Sequence, residues 1–119
     1  MRNFRELDVW KDARKLVKEA YTFTKSLPDT EKFGLVSQIN RCAISIPANI
    51  AEGSAKYSQK DFVRFLQISL GSAYELESHI ILCSDLDFAK EANTLKLIEK
   101  IQMLQKRIAS LIKYNNSKR

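Results

Sequence analysis

Ser45-Ile46-Pro47-Ala48-Asn49-Ile50-Ala51-Glu52-Gly53 is the stretch that decides the fold. Working outward from it, Leu35, Ile39, Ala43, Ile46 and Ile50 recur at steps of three or four, the spacing of one buried helical stripe. Pro47 sits inside that stripe. It has no amide proton, and its ring crowds the carbonyl four residues back, so the spacing predicts a helix that kinks there. Gly53 follows as a residue free to take the left-handed conformation that closes a helix. The segment extends back to about Glu31 and ends near Glu52.

Three further helices flank it. The first is expected from about Asp8 to Ser26, with Asp8 as N-cap and a seam of Trp10, Ala13, Val17, Ala20 and Thr24, with Leu16 and Phe23 beside it. Pro28 disfavours helix at the residue before it, so Leu27-Pro28-Asp29-Thr30 is a turn. Ser58 with Asp61 three residues on reads as a shortened capping box that opens the third helix, which runs to about Ser84. Its seam is Phe62, Phe65, Ser69, Ser72, Leu76, Ile80 and Cys83; Gly71 marks a site for close backbone approach by a neighbour. After Asp85-Leu86-Asp87-Phe88 turns the chain, the fourth helix spans about Ala89 to Tyr114. Leu97, Ile101, Leu104, Ile108 and Leu111 step four, three, four, three, as bundle packing requires. Residues 115–119 have nothing to bury and are expected to fray. The reading is an all-α, antiparallel up-down-up-down four-helix bundle with a Pro-kinked second helix, one domain over residues 1–119.

The totals agree. A chain of 119 residues with 45% hydrophobic and 29% charged content describes an ordinary globular domain. Such a chain buries roughly two-thirds of its unfolded surface and needs no disulfide or metal to hold it. Cys42 and Cys83 lie in apolar stretches, which suits reduced thiols in a cytoplasmic protein. The N-terminus carries charge early without an apolar core behind it, so it is not a secretory signal. The longest purely apolar run, Ile80 to Cys83, is too short to enter a membrane.

The net charge of +6 is unevenly placed. Residues 1–88 hold twelve basic and twelve acidic side chains, whereas residues 89–119 hold eight basic ones against Glu91 and Glu99. The excess therefore falls on the last quarter of the chain. At about 100° per residue, Lys96, Lys100 and Arg107 share a stripe beside the core seam, and Lys106 and Lys113 form a second line on the outer face. On a lone bundle such a face would simply be solvated. The scarcity of acids, and repetition of the stripe in an oligomer, set beside that reading the binding of nucleic acid or another polyanion, by backbone recognition with little sequence readout.

Catalysis finds little to work with. There is one histidine, no glycine-rich phosphate loop and no paired-cysteine spacing. Glu75, His79 and Cys83 stand four apart on the third helix, either as a metal or thiolate site or as a polar strip grading into a buried cysteine. Glu75 and Glu77 point in different directions, so they are not a facing acid–base pair. No cofactor or metal is expected. Phe62, Phe65, Trp10 and Phe23 occur at helical spacing and belong to the core; Tyr74 falls off the seam and is expected to be exposed.

With these residues in place, the chain resembles the four helix bundle protein family, whose members are also called intervening-sequence proteins because some are encoded within insertions in bacterial large-subunit ribosomal RNA genes. The likeness runs through Leu7-Asp8-Val9-Trp10 with Ala13, Phe33-Gly34-Leu35, Gln38-Ile39, Arg41-Cys42-Ala43, the nonamer from Ser45 to Gly53, Phe62, Phe65-Leu66, Gly71-Ser72 and Glu75-Leu76-Glu77. The resemblance implies the same bundle, assembled as a homopentameric ring with a central channel. It also implies kinship to the accessory variability protein of diversity-generating retroelements, a basic pentamer that binds a reverse transcriptase and nucleic acid. This chain has Ser54-Ala55-Lys56 where the family often has an arginine shortly after the glycine, and Tyr74 where a small residue is common. The expectation is a non-enzymatic, homo-oligomeric nucleic-acid-binding accessory protein acting through Lys96, Lys100, Lys106, Arg107 and Lys113. The alternative is a scaffold for a protein partner, in which exposed apolar and tyrosine surface matters and the basic residues tune association rate.

Overall fold

The computed structural model describes residues 2–117; Met1 and the cations Lys118 and Arg119 lie outside the described residues. A 3-10 turn at Phe4–Glu6 leads into α1 (Asp8–Thr24). A second such turn at Asp29–Glu31 leads to α2 (Leu35–Ser54), followed by α3 (Gln59–Asp85) and α4 (Glu91–Ser117). Each helix packs against the next, and α1 closes on α4, giving the all-α up-down bundle that the spacing predicts. At 1.5 Å per residue a 27-residue helix spans about 40 Å, so α3 and α4 run most of the 46 Å length of the molecule.

The core is one cluster drawn from all four helices. Ala13, Leu16 and Ala20 of α1 meet Ile39, Ala43, Ile46 and Ile50 of α2, Leu66, Leu76 and Ile80 of α3, and Ile101, Leu104 and Ile108 of α4. Trp10 departs from its expected place. Val9 is buried in its stead, and Trp10 lies half-buried on the flank, with the Phe4 ring edge-on at 5.0 Å. Tyr74 is exposed, as expected from its position off the seam.

Helix ends differ from the sequence reading where side chains supply capping that composition does not announce. α2 begins at Leu35 rather than near Glu31, because residues 29–31 form the 3-10 turn and Gly34 leaves the helical region. The Glu31 carboxylate then accepts the Leu35 N–H at 3.3 Å, satisfying one of the open donors of the first turn. Ser58 caps α3 as predicted, its Oγ accepting the Asp61 N–H at 3.0 Å. α4 runs past Tyr114 to Ser117 instead of fraying at Asn115. That side chain is buried, and its amide donates to the Leu111 carbonyl at 2.9 Å.

Neither glycine singled out in the sequence has its expected role. Gly53 is not a left-handed terminator: no glycine among the described residues has positive φ, and α2 continues through it to Ser54. Its lack of a side chain admits α3 instead, since a Cβ there would lie 2.6 Å from Phe65 Cβ. Gly71 is exposed, with nothing within 4 Å of where its Cβ would stand. The left-handed residue is Asp87, at φ 61°, after the end of α3. There the Phe88 N–H reaches back to the Cys83 carbonyl at 2.8 Å and the Asp87 N–H to that of Ser84 at 3.0 Å, the paired bonds of a Schellman closure.

The nonamer is thus the α2 side of a close seam with α3. α2 stays helical on both sides of Pro47, which forgoes one backbone bond. The neighbouring Ile46 carbonyl accepts a bond from buried Ser69 Oγ of α3 at 2.9 Å. Ser45 Oγ meets Ser72 Oγ at 2.9 Å, and Asn49 Nδ2 donates to Ser45 Oγ at 3.0 Å. Arg2 straps the end of this seam: its backbone N–H donates to the Ser54 carbonyl, its Nη1 donates to the Lys56 carbonyl, and its guanidinium lies 4.0 Å over the Phe62 ring. Glu52 is exposed and takes no part.

Opposite responses to the same substitution follow at the two glycines. Gly53→Ala should destabilise by about 1–3 kcal/mol through overpacking against Phe65, whereas Gly71→Ala should stabilise by about 0.5–1 kcal/mol by removing backbone freedom from an open helical site. Denaturant melts of both variants check this; equal midpoints would refute the account of the seam.

Candidate functional site

The five basic residues expected to bind nucleic acid all lie on α4 and are exposed, but the bundle treats them differently. Lys100 Nζ is 2.7 Å from a carboxylate oxygen of Glu19, and Arg107 forms a close ion pair with Asp12. Both partners sit on the side of α1 that faces α4. Each pair is exposed enough that its contribution to stability is small. The electrostatic consequence is larger, because two of the five cations are locally neutralised. Lys96, Lys106 and Lys113 have no ion-pair partner among the described residues. Lys96 borders a cleft with Thr22 and Phe23 of α1, whereas Lys106 stands between Tyr74 and Glu77 of α3 on one side and Glu6 and Asp8 at the start of α1 on the other.

The same pairing uncovers a site that summing charges along the chain hides. With Asp12 and Glu19 turned toward α4, the charged residues of α1 that remain beyond Asp8 in its first turn are Lys11, Arg14, Lys15 and Lys18, with no ion-pair partner among the described residues. Together with Arg5 they border an open groove between α1 and α2, walled by Trp10, Val17, Tyr21 and Ile44. Arg14 lies 5.5 Å over the Trp10 ring and Arg5 5.2 Å over Phe4, so aromatic faces hold two of the five cations in place. The sequence signal is the offset along α1. Positions 10, 14, 17 and 21 share one face with 11 and 18 beside it, while 12 and 19 fall on another; Lys15 stands between the two and also borders a cleft with Asp12 and Glu19.

The helix-three constellation also rearranges. Cys83 is fully buried and apart from the histidine; its place is taken by Cys42 of α2. Ligand-type atoms of Cys42, Glu75 and His79 all lie within 4.8 Å of one another. His79 Nε2 is 3.2 Å from Glu75 Oε2, and His79 Nδ1 is buried without a hydrogen-bond partner. Burial first, then a hydrogen bond to the Glu75 carboxylate, pushes the Cys42 thiol up to about 12. The Glu75 carboxyl is correspondingly held below its ordinary value, first by that thiol and then by His79. Burial, with the charge of Glu31, pushes the Cys83 thiol up to about 11. Glu77 points the other way, as expected, where Gln102 and Gln105 of α4 donate to it at 3.0 and 2.8 Å.

Among the described residues, no helix is long and apolar enough to cross a membrane. A family model described as 23S rRNA-intervening sequence protein matches residues 5–110. Among solved structures, the chain is similar to a protein of unknown function from the S23 ribosomal protein family of Bacteroides thetaiotaomicron. The two are 25% identical, and the match covers 88% of this chain and 98% of that one with a TM-score of 0.82. No curated protein matches.

Both thiols should be inert in the folded protein. For Cys42 the thiolate fraction at pH 8 falls roughly three orders of magnitude below that of a free cysteine. A folded-state pKa raised in this way stabilises the bundle fully below the ordinary thiol value, and that contribution is lost as pH climbs toward about 12. Thiol-reagent kinetics check this: both cysteines should unmask together in denaturant, and a rapidly reacting Cys42 in the native protein would contradict it.

Proposed function

The chain belongs to the 23S rRNA-intervening sequence protein family, and we propose that it is a non-enzymatic, self-associating bundle of the cytoplasm that holds the phosphate backbone of RNA or DNA. The carrying observation is the row of unpaired cations, Arg5, Lys11, Arg14, Lys15 and Lys18, along one aromatic-walled groove. Unpaired Lys96, Lys106 and Lys113 on α4 extend the positive surface, and Lys100 and Arg107 contribute less because Glu19 and Asp12 already neutralise them. Cations in such a row displace counterions from successive phosphates, which gives affinity without base readout. Kinship to the accessory variability protein of diversity-generating retroelements supports the same reading, as an analogy of fold.

Self-association, as the homopentamer that the family resemblance implies, is supported by apolar side chains left exposed on α3 and α4. Ile68, Tyr74, Ile81, Leu82, Leu95 and Met103 are each more than 40% exposed. The same surface favours the second reading, a scaffold for a protein partner, in which salt would hardly affect binding.

Titration of unrelated RNA and DNA oligonucleotides at several salt concentrations tests the proposal. Trp10 is the single tryptophan of the chain and lies on the groove, so its fluorescence should report occupancy directly. Replacing Lys11, Arg14 and Lys18 together by glutamine should weaken binding at least about tenfold and lower the slope of log K against log salt by about 2–3. Replacing Lys100 and Arg107 should do less. Unchanged affinity in the α1 triple variant would overturn the groove, and no binding even at low salt would favour the protein-partner reading.

A further inference from the structure

We propose that Cys42, Glu75 and His79 form a site for a single borderline-soft divalent cation, best matched by zinc(II). The three side chains come from two helices already locked in register. Glu75 and His79 stand one turn apart on α3, and Cys42 faces them from α2, four residues before Ile46. All three ligand-type atoms fall within 4.8 Å of one another, so small side-chain rotations bring them to the spacing of a shared ion. Thiolate, imidazole and carboxylate together suit zinc better than magnesium or calcium, which take oxygen alone.

Cys42 packs in the core and bonds Glu75, while the imidazole is only half satisfied. The imidazole's one hydrogen bond is to Glu75 at 3.2 Å, and its other nitrogen is buried with no partner. Cys42 is buried while the Glu75 side chain is 54% exposed, so the cluster opens to solvent at the carboxylate end, which gives an ion an entry path and leaves a coordination position for water.

Charge balances without another group. Binding expels the Cys42 thiol proton to solvent, and thiolate plus carboxylate then neutralise a divalent ion beside a neutral imidazole. Arg41 is the neighbouring cation that both Cys42 and Glu75 feel, and it is exposed, where water screens it. The ion would clasp α2 to α3 one turn before the nonamer, independently of the groove on α1.

The test uses the whole protein, stripped with a chelator and loaded with cobalt(II) as a spectroscopic stand-in, then with zinc(II) in competition. One ion per chain is expected, with a thiolate-to-cobalt charge-transfer band that zinc abolishes. Zinc should also raise the melting temperature and protect Cys42, but not Cys83, from alkylation under mildly unfolding conditions, as read by peptide mapping. Cys42→Ser and His79→Gln should each weaken binding by more than the roughly 10–100-fold that second-shell changes cost. Those wild-type readouts stand even if a variant folds poorly. The proposal is overturned if the wild-type protein gives no charge-transfer band and no zinc-dependent protection, or if a folded Cys42→Ser variant binds zinc as tightly as the wild type.

Discussion

The approach of α3 to α2 at Gly53 is the constraint on which the rest of the bundle depends. No side chain larger than hydrogen fits between α2 and Phe65 there, because the Phe65 Cβ already stands where a Cβ of residue 53 would need room. Once they are that close, small polar residues along the seam have to find partners across it, and they do. Ser45 meets Ser72, and Ser69 reaches the Ile46 carbonyl one residue before the proline. Buried hydroxyls in these positions would be costly at a wider spacing, where each would face apolar surface without a bond. The seam therefore fixes the register of α2 against α3, and α1 and α4 complete the core around a pair already aligned.

Much of this was legible in the sequence because it follows from period alone. The stripe from Ile39 to Ile50 and the alternating steps from Leu97 to Ile108 place their residues in the core as read, with Leu35 half-buried against it. The Ser58 cap was legible for the same local reason. What period could not give was the work of groups distant in sequence. Whether a helical glycine ends a helix or admits a neighbour depends on what stands opposite it, and Phe65 lies twelve residues beyond Gly53 on another element. The left-handed position fell to Asp87, a residue type that tolerates it less readily than glycine but does so in closures of this kind.

The candidate sites show the same division. A tally of charge along the chain put the excess on the C-terminal quarter, which is correct as arithmetic. Folding redistributes it, since Asp12 and Glu19 on one side of α1 take up Arg107 and Lys100 and leave the lysines on the other side uncompensated. Spacing of four along α3 likewise brought Glu75 and His79 together, whereas the thiol beside them came from α2, which only the register of the seam could reveal. Trp10 was assigned to the core because tryptophan at helical spacing usually is; Val9 fills that place, and the indole is left on the groove.

The ion pairs between α1 and α4 have a consequence for how the molecule responds to its surroundings. Opened, the chain carries its net charge of +6 as a C-terminal excess, with acids and bases balancing over residues 1–88. Closed, it presents a sharply bounded positive channel. The row of cations along the groove is thus assembled by folding, and any anion that prefers the groove acts as a folding ligand, favouring the packing of α1 on α2 by mass action. High salt would then act chiefly by weakening the hold of such an anion, since the exposed pairs themselves contribute little.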